Sequence, residues 1–181
     1  MPNGHTEMKK NQKGFSLIEL LIVVVIIGIL AAVAIPNLLV SRRAANEGSA
    51  QSTIRTMHSA QVTFAATKGS NNFTGTGGTA FPLGLATLRA ESLIDTQLAT
   101  GVKSGYNFVV FATDFVQGTS PATLTIGSVP AATTGFTQTG TRKFCLATDG
   151  LVRISYTPAG LPNNIANDGE CVSATYADVV Q

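Results

Sequence analysis

One long apolar run dominates the first part of the chain. Residues 20–35 contain no polar side chain, and the apolar segment as a whole covers the 22 residues 15–36. Coiled as an α-helix, a segment of this length spans about 33 Å, close to the hydrocarbon thickness of a bilayer. The segment can therefore cross a membrane, although one acidic residue, Glu19, lies near its beginning.

The helical pattern continues beyond this run, where the apolar positions narrow to a single stripe. Side chains suited to packing recur at spacings of three and four residues, at Ile54, Met57, Gln61 and Phe64. This is the period of one helix face. The pattern predicts one helix over residues 15–67, about 80 Å long, with Gly69 as the residue that ends it.

Strand patterns occupy the second half of the chain. After a polar stretch rich in glycine and threonine, residues 66–81, a short helix is predicted over about residues 85–94. Runs rich in β-branched and aromatic residues then predict four strands, at residues 106–113, 123–129, 141–148 and 151–156. Asp149-Gly150 separates the last two, and this dipeptide predicts a type I′ hairpin.

These elements predict an α+β fold. A four-stranded antiparallel meander needs a cover for its apolar face, and the second half of the long helix supplies an apolar stripe for it. The predicted organisation is a leader over residues 1–14, a transmembrane and assembly helix over residues 15–42, and a globular head over residues 43–181.

The formal net charge of +2 is concentrated at the start of the chain. The first fourteen residues contain three lysines and one glutamate, whereas basic and acidic side chains balance in the remainder. Without a basic stripe, the single subunit lacks the electrostatic signature of nucleic-acid binding. An array of subunits can still present a local basic patch.

The two cysteines, Cys145 and Cys171, favour a disulfide over a metal site. They form no C-x-x-C motif and no histidine cluster accompanies them, so a zinc site lacks ligands. A disulfide implies an oxidising compartment and contributes about 3 to 4 kcal/mol for a loop of this length.

Other candidate sites carry weaker signals. His58 lies beside the apolar stripe without a second ligand residue, so we interpret it as a packing or surface histidine. The oxygen-rich residues 163–170, "NNIANDGE", suggest calcium but lack the alternation of an EF-hand, and we interpret them as a turn. Asn72-Phe73-Thr74 matches a glycosylation sequon. No nucleophile motif is present, and we expect no catalytic residue, metal or cofactor.

Two kinds of processing compete for the N-terminal segment. An ordinary secretory signal fits the basic start, the apolar run and the small residues Ala32-Val33-Ala34. That interpretation leaves Glu19 and Lys13-Gly14-Phe15 without a role. It also expects a break after the apolar run, where the helical pattern instead continues.

The motif Lys13-Gly14-Phe15 followed by "SLIELLIVVVIIGILAAVAIPN" resembles the N-terminus of the type IV pilin family. The resemblance implies that prepilin peptidase cleaves after Gly14 and methylates the new amine, which leaves N-methylphenylalanine at Phe15. It also implies that Glu19 meets the N-terminal amine of a neighbouring subunit, which neutralises both charges and sets the register between helices. The alternative is that Glu19 extends toward lipid headgroups.

Gly28 and Pro36 are the two helix-weakening positions of the apolar segment. Pro36 lacks an amide donor, so the helix should bend or loosen there. The resemblance implies that this segment can unwind in an assembled fibre. A simple bend, which is common in membrane helices, is the alternative.

The resemblance implies a structural subunit of a type IV pilus, inserted in the inner membrane as a prepilin and then polymerised into an extracellular fibre. Its implied partners are copies of itself, prepilin peptidase, an inner-membrane platform protein, an assembly ATPase and, in a cell with two membranes, an outer-membrane secretin. Motility, adhesion and DNA uptake are all open as roles. The alternatives are a major pseudopilin of a type II secretion system and, from another class, a secreted binding module. The family resemblance implies that major pseudopilins are shorter chains with a calcium loop and usually no disulfide, so the cysteine pair favours a pilin.

Overall fold

The computed structural model of the protein describes residues 14–75, 83–155, Cys171 and 178–180. Its contacts divide the chain into two compact units, Met1–Leu38 and Leu39–Gln181. We call them the N-terminal unit and the second unit. The elements, in chain order, are α1 (Leu17–Thr67), α2 (Leu83–Ala90), α3 (Thr96–Ala99), β1 (Val102–Lys103), β2 (Tyr106–Thr113), β3 (Thr123–Pro130), β4 (Lys143–Leu146), β5 (Val152–Ser155) and β6 (Asp178–Val180).

Helix α1 begins two residues later than predicted, at Leu17, and ends at Thr67 as predicted. The helix continues through Gly28 and Pro36 without a break. After Thr67, the amides of Lys68 and Gly69 both donate to the carbonyl of Phe64, at 2.9 and 2.8 Å. These bonds satisfy the carbonyl of Phe64 at the helix end.

The left-handed residues that follow α1 are Ser70 and Asn71, with φ of 50° and 70°, and not Gly69. Gly69 is needed for space instead. A β-carbon there would collide with the carbonyl oxygen of Asn72 and lie 3.0 Å from the ring of Phe64. Gly69 therefore follows the end of the helix as predicted, and the turn requires its small size and not a left-handed backbone.

The sheet contains six strands among the described residues, in the order β1-β2-β3-β4-β5-β6. Every neighbouring pair is antiparallel, so the predicted meander and the α+β fold are confirmed. The prediction of four strands was wrong because it omitted β1 and β6. These strands have two and three residues, too few to show a period of two.

The short helix predicted over residues 85–94 corresponds to α2, which begins and ends earlier, and a second short helix, α3, follows it. Helix α2 ends at Ala90, and Ser92 then adopts a left-handed φ of 58°. The carboxylate of Asp95 starts α3 by accepting the amide proton of Leu98 at 2.6 Å, which is the usual role of an aspartate before a helix.

The hairpin between β4 and β5 differs from the predicted type I′ turn. Leu146 pairs with Val152, so five residues, 147–151, form the connection. Only Gly150 in this loop has a positive φ, 76°, whereas a type I′ turn requires one at both central residues. The amide of Gly150 donates to the carbonyl of Ala147 at 3.0 Å, as in a type I turn with glycine at its fourth position.

The core of the second unit lies between α1 and one face of the sheet. The helix contributes the buried side chains of Ala50, Ile54, Met57 and Ala60. The strands contribute residues such as Phe108, Ile126 and Phe144. Burial of this apolar surface is the main stabilising contribution to such a layer, and the stripe predicted from the sequence is the face that packs.

Candidate processing and assembly site

The predicted processing site lies immediately before α1. Gly14, Phe15 and Ser16 precede the first helical residue, Leu17. Phe15 is 88% exposed, and a β-carbon added at Gly14 would have no atom within 4 Å. The described part of the chain therefore leaves both sides of the predicted scissile bond uncovered.

Glu19 has a local partner at the start of the helix. Its Oε2 accepts the backbone amide of Ser16 at 3.2 Å. Ser16 stands at the N-cap position and Glu19 three residues later, which is one half of a capping box. A carboxylate at this end also interacts favourably with the helix dipole. Glu19 thus stabilises the first turn of α1 within a single chain.

Ser16 is a residue of this site that the sequence analysis missed. Its signal was present in the spacing Ser16-x-x-Glu19, which is the capping-box pattern. The expected contact between Glu19 and the amine of a neighbouring subunit remains a prediction, because it concerns two chains.

The surface around the two helix-weakening residues is apolar. The N-terminal part of α1 is long and apolar enough to cross a membrane, with a mean hydropathy of 3.2 over its most apolar window. No residue of that window is buried in the structure. A β-carbon at Gly28 would meet nothing within 4 Å, so Gly28 presents open backbone on this surface. The unwinding expected between Gly28 and Pro36 remains a prediction.

Cys145 and Cys171 form a disulfide, as predicted. Cys145 lies in β4, and both cysteines are fully buried. They belong to a second apolar cluster with Val109, Phe111 and Ala147. The bond fixes the chain near Cys171 to the middle of the sheet.

A buried carboxylate in the second unit was not predicted. Glu47 is only 7% exposed and accepts from both the amide and the hydroxyl of Thr141, at 2.7 and 2.9 Å. Its other oxygen lies 3.5 Å from Nε of Arg142. Because a buried charge requires such partners, Glu47 ties α1 to the segment before β4. The sequence gives no local signal for it, since Thr141 lies 94 residues away.

His58 packs against the loop between β4 and β5. Its ring would lie 3.4 Å from a β-carbon at Gly150. Burial lowers the pKa of His58, while the carbonyl of Thr148 and the carboxylate of Asp149 oppose that shift. The contact with this loop and the partial burial of the ring agree with the packing role expected for His58.

The remaining candidate sites show no assembled chemistry where the structure describes their residues. In the described ranges, no three of the side chains His, Cys, Asp and Glu come together as a metal site. Residues 163–170, the calcium candidate, lie outside those ranges. In the sequon, Oδ1 of Asn72 accepts the amide of Phe115 at 2.7 Å, and Thr74 is buried.

Comparison with known proteins concerns the same N-terminal segment. The family described as "Prokaryotic N-terminal methylation motif" matches residues 9–35. The chain carries this methylation motif. It includes Gly14, Phe15 and Glu19 and most of the apolar run.

Relatives match the chain over short stretches. The chain is 68% identical over 38 residues to "Type IV wide pilus major component PilA4" of Thermus thermophilus, which covers 21% of this chain and 29% of that protein. It is 46% identical over 52 residues to "Type IV major pilin protein PilA" of Myxococcus xanthus, covering 29% and 24%. It is 38% identical over 52 residues to "Type II secretion system core protein G" of Dickeya chrysanthemi, covering 29% and 34%.

Together with the methylation motif, these matches confirm the resemblance to type IV pilins and to the related pseudopilins. The chain spans between about a quarter and a third of the length of these curated relatives. No solved structure matches the chain.

Proposed function

We propose that the protein is a structural subunit of a type IV pilus. The observation that carries the proposal is the coincidence of the methylation motif, residues 9–35, with an apolar helix surface of which no residue is buried in the single chain. Such a surface is stable only in lipid or against other apolar helices. A precursor held in a membrane and a polymer held by helix packing satisfy these two conditions in turn.

The subunit is proposed to be inserted in the inner membrane and cleaved after Gly14 by prepilin peptidase. Residues 1–14 then form the leader, residues 15–42 the transmembrane and assembly helix, and residues 43–181 the head. The exposure of Gly14 and Phe15 supports this step, because a peptidase requires an uncovered bond. Copies of the chain are its main partners, with the platform protein, the ATPase and the secretin as assembly machinery.

A structural role fits better than catalysis. The type IV relatives are named as pilus components. The polar sites described above, the carboxylate of Glu47 and the side-chain oxygen of Asn72, bond to the protein itself. The protein is therefore proposed to act through its surfaces, on the outside of the cell once assembled.

The mature N-terminus tests this proposal. We expect mass spectrometry of the purified subunit to show a chain that begins at Phe15 and carries one additional methyl group. A chain that begins at Ile35, after Ala32-Val33-Ala34, would contradict the pilin proposal and support secretion with an ordinary signal peptide.

A pseudopilin of a type II secretion system is the second candidate. The match to the core protein G favours it, since that match covers the same share of the chain, 29%, as the one to the Myxococcus pilin. Imaging of cells with and without the gene separates the two. Abundant long filaments that depend on the gene are expected of a pilus subunit.

A further inference from the structure

We propose that heads of this protein contact one another end to end in the fibre, with residues 131–142 of one copy docked on residues 114–122 of the next. The first loop joins β3 to β4, and the second joins β2 to β3. This inference rests on the proposed function, because it requires that copies of the chain assemble into a filament. It assigns the contact to two surfaces of the second unit.

The two loops lie at opposite ends of the same strand. Residues 114–122 lead into β3 at Thr123, and residues 131–142 leave it at Pro130. Two hydrogen bonds, one at each end of the α1 segment that packs on the sheet, agree with this placement. Arg43 donates to the carbonyl of Gly135 at 3.4 Å, whereas Asn72, just beyond the other end of α1, accepts from Phe115 at 2.7 Å. Residues 43–67 of the helix alone separate these ends by about 36 Å.

Each loop presents exposed apolar side chains. Phe136, near the middle of residues 131–142, is 86% exposed. Phe115 and Val116 in the other loop are 46% and 50% exposed. Exposed aromatic side chains are the residues that most often contribute strongly to binding when a partner covers them.

The charges beside these apolar groups have opposite signs. Arg43 on α1 bonds to residues 131–142 and the exposed Arg42 precedes it in the helix, while Asp114 is the charged residue of residues 114–122. The ion pairs found in the described ranges involve none of these three residues. An end-to-end contact therefore brings unpaired positive and negative groups together around two apolar patches, which favours a second copy as the occupant.

Both loops are held in shape before any contact forms. Asn46 donates to the carbonyl of Thr139 at 2.9 Å, and Glu47 accepts from Thr141, so α1 fixes residues 131–142. In the other loop, Val116 and Ser120 form an antiparallel bridge with backbone bonds of 3.0 and 3.1 Å. Surfaces that are ordered in advance lose less entropy when they bind.

The symmetry of this contact fits a filament. The two surfaces differ, so each copy uses one to bind the copy on one side and the other to bind the copy on the opposite side. A head-to-tail contact of this kind continues indefinitely when it does not close into a ring. The contacting copies are expected to be offset along the fibre by about the length of the head, roughly the 36 Å of its helix.

Cysteine cross-linking in assembled fibres tests the inference. The full chain would carry Thr137→Cys and Gln117→Cys, two exposed positions that leave Phe136, Val116 and Asp114 in place. Mild oxidation of sheared fibres is expected to give a ladder of covalent oligomers well beyond the dimer, which reductant removes. Each single variant is expected to give dimers at most.

The matched control replaces Gln117→Cys with Ser59→Cys. Ser59 is exposed on the part of α1 between the two loops, so the pair Thr137→Cys and Ser59→Cys is expected to form no ladder. Normal fibres without a ladder from the first pair, or an equal ladder from the control pair, would overturn the inference and leave the proposed function intact. Absence of fibres from the unmodified chain would overturn both.

Charge reversal in the cross-linking variant provides a second measurement. Asp114→Arg is expected to reduce the ladder several-fold, and addition of Arg42→Asp is expected to restore it. The alternative is that Arg42 and Arg43 bind anionic lipid. In that case Arg42→Asp would leave the ladder of the Thr137→Cys and Gln117→Cys variant unchanged. It would also fail to rescue Asp114→Arg. That result would contradict the proposed pairing of heads.

Discussion

A single carboxylate illustrates how one residue can serve two states of the protein. In the isolated chain, Glu19 accepts the amide of Ser16 and caps α1. In the proposed fibre, it meets the amine that cleavage creates on Phe15 of another copy. Both arrangements place a donor against the carboxylate, so assembly would exchange a hydrogen bond from a neutral amide for an ion pair with a charged amine.

Substitutions at Glu19 separate the capping role from the charge. We expect Glu19→Ala to leave membrane insertion intact, because it removes a costly charge, and to reduce filament yield sharply. Glu19→Gln keeps a hydrogen-bond acceptor for Ser16 but lacks the charge. Equal loss of sheared filaments in both variants would show that the charge matters, whereas normal yield from Glu19→Gln would assign the effect to the cap.

The difference between Glu19 and Glu47 shows why the sequence reveals one polar site and not the other. Glu19 stands out because it interrupts an apolar run, so its chemistry is visible locally. Glu47 lies among polar residues, and its burial follows from contacts with Thr141 and Arg142, more than ninety residues away. Only the folded chain brings those partners together.

Among the elements, the contact between α1 and the loop of residues 147–151 should respond to pH. The pKa of His58 is lowered in the folded state from 6.5, mainly by burial. The unfolded chain therefore binds the proton more readily, so protonation favours unfolding. We expect stability to fall as the pH decreases through and below about 6.5.

Thermal melting of the protein in detergent between pH 5 and pH 7.5 would measure this effect. His58→Gln is the matched control, because it retains a polar side chain without a titration in this range. Its melting temperature should depend less on pH than that of the unmodified protein. An identical pH profile in the two proteins would show that His58 does not couple to folding. Asp149 does not titrate between pH 5 and pH 7.5, since its pKa is lowered from 3.8 by the hydrogen bond from Arg153.

The sequence predicted best the elements whose residue pattern is long. Helix α1 and strand β2 match their predicted bounds within two residues. The helical period of α1 and the run of β-branched and aromatic residues in β2 each extend over eight residues or more. Strands β1 and β6 are formed by pairing with a longer neighbour, and this is a tertiary effect. The β4 to β5 turn was predicted from a dipeptide, but the register of Leu146 against Val152 decided its length.

At the scale of the whole molecule, the disulfide distinguishes the two candidate assemblies. Cys145 and Cys171 are 26 residues apart, and closing a loop of this size stabilises the folded state by about 3.5 kcal/mol in the chain-entropy model. A pilin head whose residues 163–170 form only a turn should depend on this bond and not on a metal. Reductant is therefore expected to lower the melting temperature of the protein markedly.

Calcium gives the complementary measurement on the same sample. A ligand stabilises a protein only if it binds the folded state, so neither calcium nor a chelator should shift the melting temperature of a head without a calcium site. The double variant Cys145→Ala with Cys171→Ala is the control, since reductant should no longer affect it. A large calcium-dependent shift together with indifference to reductant would mean that Asp168 and Glu170 hold a metal. In that case the pseudopilin would replace the pilin as the favoured function.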